Sequence, residues 1–171
     1  MHYNKTMVPD RHFLIRYSPW AILAVAVWSL GLAYAAQYVF GLEPCILCLY
    51  QRVPFAVAGA LAIVALFLVP EKRGVVIALC GVAFLVNAGI AFYHVGVEQH
   101  WWVSAAGCGD PGGGAMTLEQ MKASLLAKPP KACDEVDWTF LGISMATYNV
   151  PYSLALAVAS LAAAFQMRKP S

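Results

Sequence analysis

The feature that most constrains the fold is a set of four apolar stretches, each about as long as a membrane-crossing segment. They cover residues 20–40, 53–69, 75–95 and 150–165, and none of them contains Asp, Glu, Lys or Arg. At ~1.5 Å per helical residue, roughly 20 residues match the ~30 Å hydrocarbon core of a bilayer. The chain therefore has the material for four membrane spans.

These spans are predicted to be helices. Their apolar residues fill every face and do not alternate, and a backbone in lipid must satisfy its own hydrogen bonds. The alternating segments of roughly ten residues that build a β-barrel are absent from the sequence. The second and fourth stretches are near the short limit, so we expect them to recruit flanking residues. We predict an all-α integral membrane protein, a four-transmembrane-helix bundle that forms one domain over residues 1–171.

The composition excludes several other classes of protein. Apolar residues make up 61% of the chain and charged residues 12%, against roughly 45–50% and about 25% in soluble globular proteins. Such a composition is also the reverse of a disordered one. The net charge of +2 leaves no basic patch that would indicate a nucleic-acid partner. The lipid bilayer is the environment that this composition fits.

The distribution of Lys and Arg predicts the orientation of the spans. One side carries seven of them, namely Lys5, Arg11, Arg16, Lys72, Arg73, Arg168 and Lys169. The other side carries four over longer segments, namely Arg52, Lys122, Lys128 and Lys131. Because positive residues stay in the cytoplasm, both termini are predicted to be cytoplasmic. Two loops, about residues 41–52 and 96–149, are predicted to face outward.

The first span could also be a cleaved signal peptide. Ala33-Tyr34-Ala35 offers a small-residue cleavage site after an apolar run. The apolar run nevertheless continues to Phe40, which is longer than a typical signal-peptide core, so we favour a retained span. Cleavage would leave the topology of the remaining chain unchanged.

The five cysteines follow this topology. Cys45, Cys48, Cys108 and Cys133 lie in the two outward segments, whereas Cys80 lies inside the third span. Disulfides persist on the outer side of a bacterial membrane and are rare in the cytoplasm. Two outer loops with two cysteines each therefore indicate redox chemistry, although four cysteines allow three pairings. Cys80 is interpreted as a small buried apolar residue.

Cys45 and Cys48 form a CxxC motif, the spacing of thiol–disulfide oxidoreductases. Two intervening residues bring both sulfurs into one turn, where one thiolate can attack and the other can resolve. A purely structural bridge and half of a zinc site are the alternatives. Zinc would need two further ligands at similar spacing, and the sequence has no second CxxC and no paired histidines. We therefore predict no metal.

Arg52 lies four residues after Cys48 and seven after Cys45. On a helix these positions share one face, which would place a permanent cation beside the sulfurs and lower a thiol pKa. The alternative is an interfacial arginine that only reaches toward the membrane surface. Pro54 disfavours helix at Val53, so a short separate turn before the second span is also possible.

The long outer segment contains the second cysteine pair. Glycines flank Cys108 and a Gly-rich run follows it, which keeps this cysteine accessible. Residues 117–120 have the pattern of a capping box that opens a short helix, and Cys133 follows that helix. A disulfide that only staples the loop is the structural alternative. Trp101 and Trp102 are typical of an interfacial aromatic belt, and residues 138–148 of a segment on the membrane surface.

Residues 44–52, with the sequence PCILCLYQR, resemble the hallmark of the DsbB family of disulfide-forming membrane proteins. The resemblance covers nearly the whole chain, including Gln37-Tyr38 at the end of the first span and the stretch Asp137-Trp138-Thr139-Phe140-Leu141-Gly142. Gln51 stands where an acidic residue is familiar, so the pocket beside it is expected to differ in detail. Members of the family lie in the bacterial inner membrane with their active cysteines facing the periplasm.

The resemblance implies a protein-dithiol:quinone oxidoreductase. Members reoxidise DsbA, a periplasmic thioredoxin-fold oxidase, and pass its electrons to ubiquinone or menaquinone. By similarity, DsbA attacks Cys108, the released Cys133 attacks Cys45, and Cys48 becomes a thiolate that faces the quinone beside Arg52. The four cysteines are thus the expected catalytic residues.

Three other polar residues lie in or near the spans. His94 ends the third span at the level of the CxxC motif, where it would hydrogen-bond a quinone or be an ordinary interfacial histidine. Gln37 and Asn87 are predicted to bridge helices.

Two alternatives to the implied function remain. One is a DsbB-like paralogue with a specialised client, and the other is a non-catalytic scaffold with structural disulfides.

Overall fold

The computed structural model describes residues 10–104, 131–136 and 138–168. Its four long helices are α1 (Arg11–Tyr38), α2 (Ile46–Phe67), α3 (Pro70–Glu98) and α4 (Met145–Arg168). All four are long and apolar enough to cross a membrane. The predicted fold class, an all-α membrane protein with four spanning helices, is confirmed.

The helices extend beyond the apolar stretches at both ends of the bundle. The short second and fourth stretches recruit flanking residues as predicted, since α2 begins at Ile46 and α4 at Met145. Residues 46–52, which were expected in an outward loop, are the first turns of α2. This extension places most of the CxxC motif on a helix.

Pro54 lies inside α2 and does not end it. The alternative of a short separate turn before the second span is therefore wrong, and Cys48 and Arg52 share one helix. A proline removes one backbone donor from the helix, whereas leaving the helix within an apolar region would orphan several donors and acceptors. The continuous helix consequently keeps Cys48 and Arg52 on one rigid element.

The bundle packs around α3, which contacts both α2 and α4, while α1 packs mainly on α2. Small residues allow the close approach. A Cβ atom added at Gly81 would lie 2.8 Å from Cγ of Leu161 on α4, and one at Gly59 would lie 3.2 Å from Cβ of Ala26 on α1. Close packing at small residues is the usual way in which helices associate in lipid, where the hydrophobic effect between helices is weak.

Arg73 stabilises the turn between α2 and α3. Its guanidinium donates hydrogen bonds to the carbonyls of Leu66 and Leu68 at the end of α2 and to the carbonyl of Ile15 on α1. The last carbonyls of a helix lack intrahelical partners, so these bonds satisfy them. Arg73 thus joins α1, α2 and α3 at the end of the bundle where α2 meets α3.

A short hairpin precedes α4, with strands β1 (Thr139–Phe140) and β2 (Ile143–Ser144). Leu141 and Gly142, which connect the strands, have positive φ angles of 52° and 78°. Two such residues are the signature of the two-residue turn whose twist suits a hairpin. The segment predicted to lie on the membrane surface is therefore a hairpin followed by the start of α4, and Phe140 and Leu141 are exposed.

Gln37 and Asn87 bridge helices, as predicted. Gln37 on α1 accepts a hydrogen bond from Arg52 on α2, and Asn87 on α3 donates one to Ser153 on α4. Cys80 is fully buried in the apolar core. Cys108 and the expected helix at residues 117–120 lie outside the described residues.

Candidate redox site

Cys45 is the N-cap residue of α2, and Cys48 follows in the first turn. The Cys45 sulfur accepts a hydrogen bond of 3.4 Å from the backbone N–H of Cys48, and the two sulfurs lie 3.3 Å apart. Both cysteines are free thiols in this structure. A helix N-terminus presents unpaired N–H groups and a positive dipole end, so it favours an anionic sulfur at this place.

His94, near the end of α3, is the second polar group at the CxxC motif. Its Nε2 atom lies 3.5 Å from the Cys45 sulfur, and the amide nitrogen of Gln51 lies 2.9 Å from its Nδ1 atom. Because an amide NH₂ can only donate, Nδ1 is the acceptor and the proton of the neutral ring is on Nε2. In this assignment His94 points an N–H group at Cys45.

The surroundings of Cys45 favour its thiolate. The hydrogen bond with the Cys48 thiol lowers the pKa of Cys45 from 9.0 to about 4, against the effect of burial and with further help from His94 and the Cys48 backbone. Once Cys45 is a thiolate, the Cys48 thiol is the donor of the bond between them. Three donors thus converge on one sulfur, so Cys45 can hold negative charge while it is nearly buried.

A chain of side-chain amides continues from His94 into the bundle. The Gln51 carbonyl accepts a hydrogen bond of 2.6 Å from Asn149 on α4, whose own carbonyl accepts bonds from Asn87 and Ser153. These residues belong to α2, α3 and α4, so the chain fixes the rotation of three helices. It also fixes the ring orientation of His94. Asn149 could not be predicted as a site residue, because its contact with Gln51 depends on which face of α4 meets α2.

Glu98 is a site residue that the sequence analysis missed. One of its carboxylate oxygens lies 3.8 Å from Nε2 of His94, and the other accepts a hydrogen bond from the Ser144 hydroxyl. Both Glu98 and His94 are nearly buried. The third span was expected to end at about residue 95, which placed Glu98 in the outer loop. The spacing of four residues between His94 and Glu98 is the signal that was available.

Arg52 reaches toward α1. Its guanidinium donates hydrogen bonds to the Gln37 carbonyl oxygen at 2.6 Å and to the Ala33 carbonyl at 3.4 Å, and it lies over the Tyr34 ring at 4.9 Å. Arg52 and the two cysteines line one cavity. The expected cation therefore lies at the cavity wall but is held toward α1, and the pKa of Cys45 is lowered by Cys48 and His94 and not by Arg52.

The cavity that these residues line has a volume of about 480 Å³ and is formed by all four helices. Its polar wall includes Cys48, Arg52, His94 and Glu98. Apolar side chains cover the rest, among them Trp28, Leu30, Phe55, Met145 and Tyr152. A pocket of this size with a few convergent polar groups is typical of a small-molecule site.

Cys133 lies in the same buried cluster as Cys45, together with Leu47 and Val97. It is disulfide-bonded, in contrast to Cys45, Cys48 and Cys80. The structure therefore brings a cysteine from the long outer segment to the CxxC motif. Of the predicted site residues, Cys45, Cys48, Arg52, His94 and Cys133 are gathered at one end of the bundle, and Cys108 lies outside the described part of the chain.

Comparisons with known proteins agree with this arrangement. The family model described as disulfide bond formation protein DsbB matches residues 16–163. Disulfide bond formation protein B of Xanthomonas campestris is 33% identical, over 81% of this chain and 85% of the relative. The proteins of the same name from Acinetobacter baumannii and Neisseria meningitidis are both 29% identical, over 82% and 85% of this chain and 85% and 92% of their own. The chain belongs to the DsbB family and is a disulfide bond formation membrane protein.

Proposed function

We propose that this protein reoxidises a DsbA-like periplasmic thiol oxidase and passes the two electrons to a membrane quinone. The observation that carries the proposal is the CxxC pair, which opens into an apolar cavity on one side and packs with Cys133 on the other. One end of the site can thus exchange disulfides with a protein, and the other can receive a lipid-soluble electron acceptor.

The first steps are thiol–disulfide exchanges. A thiolate of reduced DsbA attacks Cys108 of a Cys108–Cys133 disulfide, which forms a mixed disulfide and releases the Cys133 thiolate. Cys133 then attacks Cys45 of the Cys45–Cys48 disulfide, and Cys48 leaves as a thiolate. The second DsbA thiol resolves the mixed disulfide, so DsbA departs oxidised. The burial of Cys133 beside Cys45 supports the middle step.

The electron pair next leaves the protein from Cys48, which becomes a free thiolate while Cys45 is bonded to Cys133. The quinone takes up two electrons and two protons and becomes quinol. Cys48 then bonds again to Cys45, and the Cys133 that this releases bonds again to Cys108, so both disulfides are restored. In the dithiol form, by contrast, the hydrogen bonds favour the thiolate of Cys45. The two cysteines thus carry negative charge in different states of the cycle.

The cavity fits a quinone headgroup as the electron-accepting substrate. Its volume of about 480 Å³ is within the usual range of roughly 300–1,000 Å³ for small-molecule pockets. The apolar wall suits the ring, while Arg52 and His94 offer N–H groups to oxygens that gain charge. Ubiquinone and menaquinone both present such oxygens, so we propose either as the acceptor.

The reaction needs a strong acceptor. DsbA has a reduction potential of about −120 mV, whereas an ordinary thioredoxin-type CxxC pair has one of about −270 mV. Oxidising DsbA with such a pair alone would be uphill by roughly 7 kcal/mol, because 30 mV corresponds to about 1.4 kcal/mol. A quinone of higher potential supplies the missing driving force.

The proposed location is the bacterial inner membrane, with the cysteines at the periplasmic end of the bundle. Arg73 and Arg168 lie at the opposite end of the helices from the CxxC motif. Positive residues mark the cytoplasmic side of membrane proteins. This orientation also places the site where DsbA-like proteins are found.

Quinone reduction by the purified chain tests the proposal. Reduced DsbA and a short-chain ubiquinone or menaquinone would be supplied without oxygen, and quinol formation would be followed by absorbance. We expect turnover that disappears in Cys45→Ser and persists in Cys80→Ala, because Cys80 lies in the core away from the site. The absence of turnover with both quinones, from folded and oxidised protein, would refute the proposal.

Cys48→Ser separates the two halves of the reaction. This variant should still form a mixed disulfide with DsbA at Cys108, which a nonreducing gel detects, but it should not reduce quinone. Full quinone reduction by Cys48→Ser would remove the role that we assign to its sulfur.

A DsbB-like paralogue with a specialised client would reduce quinone only with that client as its electron donor. A scaffold with structural disulfides would not reduce quinone with any donor, and its disulfides would resist reduction. The free thiols of Cys45 and Cys48, at the wall of a cavity, favour an exchanging pair over a staple. Turnover with a small dithiol but not with DsbA would indicate the specialised client.

A further inference from the structure

Three potential metal-ligand atoms meet at the CxxC motif. The sulfurs of Cys45 and Cys48 and Nε2 of His94 all lie within 4.8 Å of one another. We infer that the dithiol form of this site binds a thiophilic divalent cation, with Zn²⁺ as the best fit, through these three atoms. The sequence offered only half of a zinc site, because the third ligand comes from α3 and lies 49 residues after Cys45.

The distances suit a tetrahedral ion. Bonds of about 2.3 Å to sulfur and about 2.0–2.1 Å to nitrogen place two sulfurs about 3.8 Å apart and a sulfur and a nitrogen about 3.6 Å apart. The observed separations are 3.3 Å between the two sulfurs and 3.5 Å between Cys45 and His94. A small rotation of the Cys48 side chain, which is only half-buried, would make up the difference.

The charge balance also suits a nearly buried site. Each thiol loses a proton on binding, so a divalent cation with two thiolates and a neutral imidazole has no net charge. A neutral complex avoids most of the cost of burying an ion at the edge of an apolar bundle. The fourth coordination position faces the cavity, where a water molecule can reach it.

Binding requires His94 to change its tautomer. Nε2 must offer a lone pair, so the proton moves to Nδ1 and needs an acceptor there. Gln51 provides one when its amide turns over, because its carbonyl oxygen then faces Nδ1. The Gln51 NH₂ group then faces Asn149. If the Asn149 amide also turns over, its carbonyl oxygen accepts a hydrogen bond from Gln51 in place of the bond that Asn149 donates now. A partner on the second ring nitrogen is typical of histidines that bind metals.

The inferred site is gated by the redox state of the cysteines. Oxidation of the pair by a disulfide or a quinone passes two electrons to that oxidant, joins the two sulfurs and removes both thiolate ligands, so the ion is released unchanged. Conversely, a bound ion occupies both sulfurs and slows their oxidation. The dithiol form would bind the ion and the disulfide form would not.

Cobalt(II) is a suitable probe, because its thiolate complexes absorb visible and near-ultraviolet light. The full-length chain with Cys108→Ser and Cys133→Ser would be purified in detergent and reduced, and Co²⁺ would be added without oxygen. We expect one equivalent to bind with thiolate-to-cobalt bands, and Zn²⁺ to displace it. His94→Gln should weaken binding at least about 100-fold, since even indirect partners of a metal site contribute 10–100-fold. Cys80→Ala is the matched control and should bind like its parent.

A second measurement uses the chain with all five cysteines. After reduction, the folded chain should react more slowly with a maleimide at Cys45 and Cys48 when Zn²⁺ is present than when it is absent, as mapped by mass spectrometry, whereas the reactivity of Cys133 should be the same in both samples. The inference fails if the reduced chain gives no thiolate-to-cobalt bands. It also fails if His94→Gln binds as tightly as its parent, which would mean an adventitious dithiolate site.

Neither readout involves DsbA or a quinone. A chain that binds Co²⁺ but does not reduce quinone would support this site and refute the proposed function. A chain that reduces quinone but binds no Co²⁺ would support the proposed function and refute this metal site. The two proposals can therefore fail separately.

Discussion

Nε2 of His94 lies 3.5 Å from the sulfur of Cys45, although the two residues belong to different helices and are 49 positions apart. The contact joins the end of α3 to the start of α2. It places a histidine N–H group beside a sulfur that also accepts the backbone N–H of Cys48. The hydrogen bond with the Cys48 thiol lowers the pKa of Cys45 most, and these two donors lower it further.

The thiolate of Cys45 should therefore persist in acid. In the reduced chain with Cys108→Ser and Cys133→Ser, we expect its ultraviolet absorbance to titrate with a midpoint near 4, far below 9.0. The His94→Ala substitution removes one donor and should move that midpoint upward. Cys80→Ala should leave it unchanged. A midpoint near 9.0 in the parent would contradict the hydrogen bonds described for Cys45.

The same shift has a consequence for the stability of the reduced chain. The folded pKa of Cys45 lies below its unfolded value, so the folded state binds fewer protons. The stabilisation is fully present above the unfolded pKa of 9.0, declines as the pH falls and is lost below about 4. Unfolding midpoints measured across this pH range should decrease toward acid, and the decrease should be smaller in Cys45→Ser.

Arg52 should affect the affinity for quinone. Its guanidinium uses two nitrogens on Gln37 and Ala33, which holds the charge at the cavity wall. We expect Arg52→Met to raise the KM for a short-chain quinone about tenfold, equivalent to roughly 1.4 kcal/mol. Arg52→Lys should be intermediate, because lysine keeps the charge but not the planar fork. An unchanged KM in Arg52→Met would show that the guanidinium does not contact the quinone.

The amide chain behind His94 should contribute to stability. Asn149→Leu leaves the Gln51 carbonyl without its partner, while the Asn87 amide keeps its bond to Ser153, and a buried polar group without a partner costs about 1–3 kcal/mol. Thermal unfolding in detergent should show the loss. Val158→Ala, an exposed apolar change on the same helix, is the control and should have a smaller effect. Equal effects of the two substitutions would mean that the amide chain adds nothing.

The sequence predicted the parts of this protein that the bilayer dictates. Four spans and two cysteine pairs could be predicted, because apolar length is matched to the hydrocarbon thickness and disulfide chemistry is confined to one side. The ends of the helices could not be predicted in this way. Glu98 was assigned to a loop because charge usually marks the end of a span, yet it is buried against His94 and Ser144.

Contacts between helices were also beyond the sequence. The bond from Asn149 to Gln51 depends on the rotation of α4 relative to α2, which no periodicity reveals when every face is apolar. Pro54 left a short separate turn open as an alternative because local preference opposes helix before a proline, but the cost of unpaired backbone in an apolar region outweighs that preference. Membrane proteins therefore reveal their spans more readily than their polar contacts.

Gly81 should be required where α3 meets α4. A Cβ atom at this position would lie 2.8 Å from Cγ of Leu161 and 3.3 Å from the Ala157 carbonyl, closer than packed atoms approach. We expect Gly81→Ala to destabilise the bundle by about 1–3 kcal/mol, the usual cost of overpacking. Gly89→Ala on the same helix is the matched control, because nothing lies within 4 Å of its added Cβ.

The clash at Gly81 should also be reversible by a second substitution. Leu161→Ala removes the atoms nearest to the added Cβ, so Gly81→Ala should cost less in that background than in the parent chain. Unfolding in detergent of the parent and the three variants would give the coupling energy. If Gly81→Ala and Gly89→Ala destabilised the protein equally, the loss would reflect helix propensity or the reduced flexibility of the backbone. A close approach of α3 and α4 at Gly81 requires instead that Gly81→Ala costs more than Gly89→Ala. It also requires that Leu161→Ala reduces the cost of Gly81→Ala.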